Sequence, residues 1–535
     1  MAKSYRRVDR DQAFLLPPDM REWLPEGHPV FVVIEALERM DTSAFHALRR
    51  TGGAGAAGYD PDMLLAVLVW AYAHRETSSR RMEELCRTDV AFRVICGGNL
   101  PDHSTIARFR REFGGAAAEF FGQVLILCAR LGMGRLGTVA LDGMKIAASA
   151  SKAANRAEKR LRELAGQAVA AHAAADAAED ELYGEGRRGD ELPPDAWSPR
   201  RRHERIAAAL AQLEAERRDA EAERDAKAEG FRERQRAGER AGRGPAGAEV
   251  ALAQENLARV IADREAQLAE LERRYAAGQP RRGQPAGVRD YCRVREAAAQ
   301  VEAAREREAR RQAAAEAAGP GPVRNITDPD SRLMPTRNGF IQGYNAQNVT
   351  SADGLVIATE LTSDTTDMAW FAPMTGQAAA AAALIEANRP AGRKAGDARD
   401  SGGIRQVLAD AGYCSEDNLT CAGPDRLIAV AKRRDLEDAA RSQDDGPGQD
   451  WGGPAVQAMR ERLRTAEGIE AYRQRGHIAE TPHGHIKHNT GFRQLSMRGK
   501  DKAAAEWTFT CAIHNLFKAL TTGHLTLQAL AGLAR

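Results

Sequence analysis

The chain is poor in several things, and each shortage closes off a class of protein. Aromatic residues make up 5% of it, and its seven cysteines (Cys86, Cys96, Cys128, Cys292, Cys414, Cys421, Cys511) contain no CxxC pair. Scattered thiols exclude a secreted disulfide framework and a cysteine-based structural zinc site, and they suit a reducing cytoplasm. An excess of one charge is also lacking: 77 Lys and Arg face 75 Asp and Glu, a formal net charge of +2. Any phosphate-binding surface must therefore be local. Long apolar runs are missing as well. The longest, Met63 to Ala73, is too short to cross a bilayer, and no apolar stretch follows the charged first residues to make a signal peptide. The expectation is a soluble cytoplasmic protein of two or three domains, because 535 residues exceed one ordinary core.

What is present changes character along the chain. Residues 1–131 read as helical, with Met63 to Trp70 apolar all round as in a buried helix and Asp60-Pro61 placed to cap it. Pro101 to Arg111 predicts a short helix carrying Arg108, Arg110 and Arg111. That fits a helix-turn-helix-like DNA reader, or equally a bundle with a solvated arginine face. Residues 132–151 hold a β-type run, Leu136 to Asp142, with Asp142-Gly143 as a turn signal. Residues 152–319 turn to Ala, Glu and Arg. Leu257, Ile261, Leu268, Leu271 and Tyr275, and likewise Ile206, Leu210 and Leu213, fall on coiled-coil spacing, with breaks at Gly184–Pro199, Gly242–Gly247 and Gly278–Gly287. An inserted set of coiled-coil helices follows from this.

Residues 320–535 return to strands and then helices. Gly339 to Val349 and Leu355 to Leu361 make a hairpin across Ser351-Ala352-Asp353-Gly354, and a helix follows near Ala369–Ala387. Gln406 to Ala409 is a buried strand that runs into Asp410, Arg426 to Ala431 is another, and Ser442–Gly453 is a polar connection. Without the insertion the order is α/β, with an antiparallel hairpin on a mixed sheet. Two short strands thus stop at an acid, Asp142 and Asp410, where α/β folds present groups to a cleft.

A third acid lies in Tyr472 to Lys487. Pro482 is tolerated only in a first helical turn, so a helix is expected to start near Glu480, placing Glu480, His483, Gly484 and Lys487 on one face. Here the chain resembles the insertion-sequence DDE transposases whose third-acid region carries a Tyr/Arg/Glu/Lys signature. The matching residues are Tyr472, Arg475, Glu480 and Lys487. The likeness extends to Ala140–Ile146, to Ala409–Tyr413, to Gly491–Gln494 and Ala505–Leu516, and to the N-terminal segment from Gly58 to Arg111. Two positions depart: four residues rather than three separate Arg475 from Glu480, and His483 stands where relatives often carry an aromatic residue.

The resemblance implies a ribonuclease H-like core with Asp142, Asp410 and Glu480 as catalytic acids. They would hold two Mg²⁺ (or Mn²⁺) ions, which favour hard oxygen ligands. It further implies cleavage at the ends of an insertion element in bacterial DNA, joining of the 3′-hydroxyl to target DNA, and a homodimer on paired ends. Lys487 and Arg475, together with Tyr472 and Lys145, are the expected phosphate contacts. Two alternatives stand beside this reading: a ribonuclease H-like nuclease without strand transfer, and a coiled-coil DNA-binding protein that has lost catalysis. His477, His483, His485 and His488 crowd the third-acid region, but no Cys and no His-Glu-x-x-His pattern joins them, so they read as ordinary polar faces rather than a zinc site.

Overall fold

The structure is a computed structural model that describes residues 19–47, 58–112, 114–167, 199–237, 245, 247–280, 283–317, 323–390, 402–430 and 453–533. The expected breaks at Gly184–Pro199 and Gly242–Gly247, and the polar stretch Ser442–Gly453, lie largely outside these residues. The chain divides into two compact units, residues 155–326 and the remainder.

In the larger unit, seven α-helices among the described residues precede the sheet: α1 (Pro29–Glu38), α2 (Ser43–Ala47), α3 (Pro61–Ala73), α4 (Ser79–Thr88), α5 (Val90–Cys96), α6 (His103–Glu112) and α7 (Gly114–Arg130). Helix α3 starts where expected: the Asp60 side chain accepts from the Asp62 amide, Pro61 needs no partner for a missing N–H, and nearly every residue after it is buried.

Strand β1 (Thr138–Ala147) follows, with β2 (Asn155–Ala157) opening the smaller unit. That unit holds α8 (Pro199–Arg236), α9 (Ala248–Ala276), α10 (Cys292–Ala317) and β3 (Val323–Asn325), which pairs with β2. Ile206 and Leu213 are buried with Leu161 and Ala209, and Leu210 packs against them. Glu249 near the start of α9 meets Arg307 and Arg311 near the end of α10, so those two helices run antiparallel.

The larger unit resumes with β4 (Arg332–Thr336), β5 (Gly339–Ser351), β6 (Val356–Thr362), α11 (Phe371–Asn388), β7 (Gln406–Ala409), α12 (Glu416–Thr420), β8 (Asp425–Ile428), α13 (Pro454–Arg464), α14 (Ala466–Gly484), α15 (Lys500–Thr521) and α16 (Leu527–Ala531). Its sheet has six strands. The long strand β5 pairs antiparallel with β1 on one edge and with β4 and β6 along the other, and β7 and β8 continue from β1 in parallel. The antiparallel strands β1, β5 and β6 followed by the parallel β7 and β8 agree with a ribonuclease H-like core, with β4 added beside β5. Residues 368–388, around α11, are long and apolar enough by composition to cross a membrane, but the helix packs its buried face on β5, β6 and α7.

Two local expectations are corrected. Asp142-Gly143 is not a turn, because β1 runs on through it to Ala147 with Asp142 opposite Asn348 and Gly143 opposite Gln347. Pairing with β5 along this whole length overrides the turn propensity of the dipeptide. Nor does a helix start at Glu480. Helix α14 starts at Ala466, where Thr465 accepts from the Gly468 amide, and Pro482 lies inside its last turn. A π turn, His485–Asn489, follows the helix directly.

Candidate active site

Strand β7 stops at Ala409, opposite Leu141, while β1 continues. At the far end Gln494 bridges to Ala147, and the Leu495 amide donates to the Ala147 carbonyl at 2.8 Å. The edge of β1 between them is open, and the acids gather along it. Asp142 projects from mid-strand. Asp410 follows β7 directly, its Oδ1 accepting from the Gly412 amide at 2.9 Å.

Arg475 joins the two. Its Nη2 donates to Asp142 Oδ1 at 2.8 Å and lies 3.6 Å from Asp410 Oδ2. Arg475 is buried to 14% exposure and its Nε has no acceptor among the described residues. Burial would raise the Asp142 carboxyl, but His483 and Arg475 outweigh it and hold that acid below the usual range. Asp410 goes the other way: burial lifts it, and the charges of Asp142 and Asp367 add to the lift against the pull of Arg475.

His483 is the departure from the family pattern, and the structure supplies its role. Trp507 Nε1, which can only donate, points at Asn348 Oδ1 at 3.3 Å, and Thr359 donates to the same oxygen at 2.6 Å. That fixes the amide so that Nδ2 faces His483 Nε2 at 3.2 Å. His483 Nε2 is therefore the acceptor, and its Nδ1–H points to Asp142 Oδ2 at 3.5 Å. A buried chain of four side chains thus orients the first acid.

Glu480 is not joined to the other two acids. It is exposed, and it makes no hydrogen bond or ion pair among the described residues. Five residues along α14 from Arg475, it lies about 140° around the helix. It still contributes, after Asp142, Tyr472 and Asp410, to the charge that raises Arg475 against burial.

The remaining expected contacts divide. Lys487 sits on the π turn with its Nζ 3.5 Å from the Lys145 carbonyl; burial and then Arg493 depress its pKa, opposed by Asp142. Tyr472 is turned inward, its hydroxyl donating to the Ala409 carbonyl at 3.3 Å, so it braces the turn that carries Asp410 rather than facing DNA. Lys145 pairs with Asp367 at 3.3 Å. Arg110 is spent on the Thr77 carbonyl and the Tyr72 hydroxyl, whereas Arg108 and Arg111 remain exposed. Sequence reasoning missed Asp367 and the amides Asn345, Gln347 and Asn348, all three with 0–1% exposure on β5. Three carboxamide side chains within four residues of one strand were the available signal.

The other histidines find separate partners. His488 Nδ1 meets Arg493, and His485 Nδ1 meets His514 Nδ1 at 3.1 Å. Burial drives His514 down to about 3, so it folds neutral. Because the unfolded chain binds that proton near 6.5 and the folded one near 3, stability falls as pH drops through this window. Urea unfolding should show His514→Gln losing on the order of 1 kcal/mol less than the parent between pH 7.5 and 5.5. Parallel losses in the two proteins would contradict the assignment.

Two stretches match known families. Residues 18–112 match the family described as "Transposase domain (DUF772)", and residues 452–520 match the "Transposase DDE domain". No curated protein and no solved structure matches the chain. The first stretch covers α1 to α6 and the second runs from α13 to α15 through Arg475, Glu480 and Lys487; in both stretches the chain is similar to transposases, the second of them of the DDE type.

Proposed function

We propose that the protein cleaves the ends of its insertion element by metal-dependent hydrolysis and joins the freed 3′-hydroxyl to target DNA. The observation that carries this is the pairing of Asp142 and Asp410 through one arginine on adjacent parallel strands, with Glu480 on the helix that supplies the arginine. The residues fit a divalent cation: the hard oxygens of Asp142 and Asp410 meet at an open strand edge, and among the described residues a guanidinium, itself a cation, stands between them. Asp142, Asp410 and Glu480 would hold the ions, which when bound supply Lewis-acid stabilisation of the phosphoryl oxygens and an activated water or hydroxyl.

The chain's own side chains do the rest. His483 and Arg475 keep Asp142 ionised and aimed. Arg475 has a spare donor in Nε for a phosphate oxygen, and Lys487 adds a second positive charge within electrostatic reach of Asp142. No covalent protein–DNA intermediate is required, because water and then the 3′-hydroxyl act as nucleophiles in turn. DNA duplexes, at the element ends and at the target, are the substrates, and a homodimer would bring two ends together.

Incubating the protein with Mg²⁺, labelled element ends and a target plasmid tests the proposal. Joined products are expected; cut ends without joining would replace the transposase by a nuclease, and no products at all would sink both. Chelation of divalent ions should abolish cleavage. Arg475→Ala should lower cleavage about 10²-fold, the scale of one lost transition-state donor, and wild-type rates in that variant would remove Arg475 from the machinery.

A further inference from the structure

Asp367 lies between β6 and the turn Met368–Trp370 that leads into α11. Its Oδ1 accepts from Asn345 Nδ2 at 2.6 Å and Gln347 Nε2 at 2.7 Å, and Lys145 Nζ stands 3.3 Å away. Both amides are fully buried on β5, opposite Lys145 and Gly143 in the register. The Tyr413 hydroxyl, three residues beyond Asp410, donates to Gln347 Oε1 and so fixes that amide with its nitrogen toward Asp367. The arrangement is built rather than incidental.

Two glycines give this carboxylate access to the acids. A Cβ on Gly143 would stand inside contact distance of Asp367 Oδ1, so only glycine leaves room beside Asp142. A Cβ on Gly412 would stand 3.0 Å from Asp410 Oδ1 and 3.3 Å from Asp367 Oδ2, so these two carboxylates face each other across a missing side chain. Two acceptors here have no donor. Asp367 Oδ2 accepts no hydrogen bond among the described residues, and Asn345 Oδ1 is buried with no partner. An orphaned buried carbonyl calls for an unseen donor, and the water shell that Mg²⁺ retains supplies donors in quantity.

We infer that Asp367 is a fourth carboxylate of this site, a positioning residue whose free oxygen, with the Asn345 carbonyl, accepts hydrogen bonds from water around a divalent cation held at Asp410. The inference rests on the function proposed above. The ordinary alternative is that Asp367 serves only as counter-charge to Lys145. The two roles differ in a measurable way, because an outer oxygen of this kind changes cation affinity by about 10–100-fold whereas a mere counter-charge does not.

Mn²⁺ titration of the full chain without DNA, followed by the paramagnetic signal of the free ion, separates the outcomes. Asp367→Asn keeps the shape and should weaken Mn²⁺ binding at least about tenfold with an unchanged melting temperature. Wild-type affinity in that variant overturns the inference. Should the variant lose its cooperative melt, Lys145→Met decides: freeing Asp367 of its cation should tighten Mn²⁺ binding, and unchanged or weaker binding overturns the inference. Asp142→Asn is the reference for the site as a whole. If it too binds Mn²⁺ like the parent, the metal reading of the site falls; if it alone loses binding, only the role of Asp367 fails.

Discussion

Asp142→Ala is expected to reduce both cleavage and joining by at least about 10³-fold while the protein stays folded. Asp142 is the acid on the central strand and the one reached by both Arg475 and His483. Removing it takes away one of the carboxylates that would hold the ions, and losing roughly 4 kcal/mol of charge stabilisation corresponds to about three decades in rate. The fold should survive, because β1 keeps its pairing with β5 and β7 and the vacated Arg475 retains Asp410. Asp142→Asn, nearly isosteric, controls for local repacking. Gel assays on labelled ends alongside thermal melts check this, and a folded Asp142→Ala protein that still cuts would remove the active site from this strand.

The largest effect on stability should come from outside the site. Glu506 on α15 is 1% exposed and accepts from the Tyr72 hydroxyl at 2.8 Å, the Ser496 amide at 2.8 Å, the Met497 amide at 3.0 Å and the Ser496 hydroxyl. Tyr72 belongs to α3, so one carboxylate ties the first matched stretch to the second and to the loop after the third-acid helix. Glu506→Ala strands four donors, two of them, the Tyr72 hydroxyl and the Met497 amide, in the buried interior. At 1–3 kcal/mol for each unsatisfied group, a loss of about 4 kcal/mol or more is expected, a large part of an ordinary domain's 5–15. Glu506→Gln, which keeps an acceptor, should lose about half as much. Urea midpoints measure both, and a change below about 1 kcal/mol in the alanine variant would show that the network is replaceable.

Legibility in the sequence followed how local each signal was. Asp142 and Asp410 stood out because β-runs leading to acids are read over six or seven residues, and the β5–β6 hairpin was legible for the same reason. The helix start near Glu480 was misread because Pro482 is a strong local stop sign, whereas α14 is held by Thr465 at its cap and by the packing of Tyr472, Ile478 and Ala479. Tyr472 and Arg110 are polar-tipped residues that sequence reading exposes, yet each finds a backbone carbonyl in the interior. Asp367 carried no spacing signal at all. Its partners Lys145 and Asn345 lie 222 and 22 residues away in the chain.

The residue types and their order by themselves determined the alternation of strands and helices and the likeness to transposases, and they singled out Asp142 and Asp410 as candidates, because periodicity, caps and short motifs are properties of neighbouring residues. Tertiary structure alone decided what those acids are like. It set Arg475 between Asp142 and Asp410, locked the His483 tautomer through Asn348 and Trp507, left Glu480 in solvent, and brought Asp367 to the edge of β1 beside two glycines. The physical reason is that charge, burial and hydrogen-bond partners depend on distances through space, and those are fixed only when strands far apart in the chain come to lie side by side.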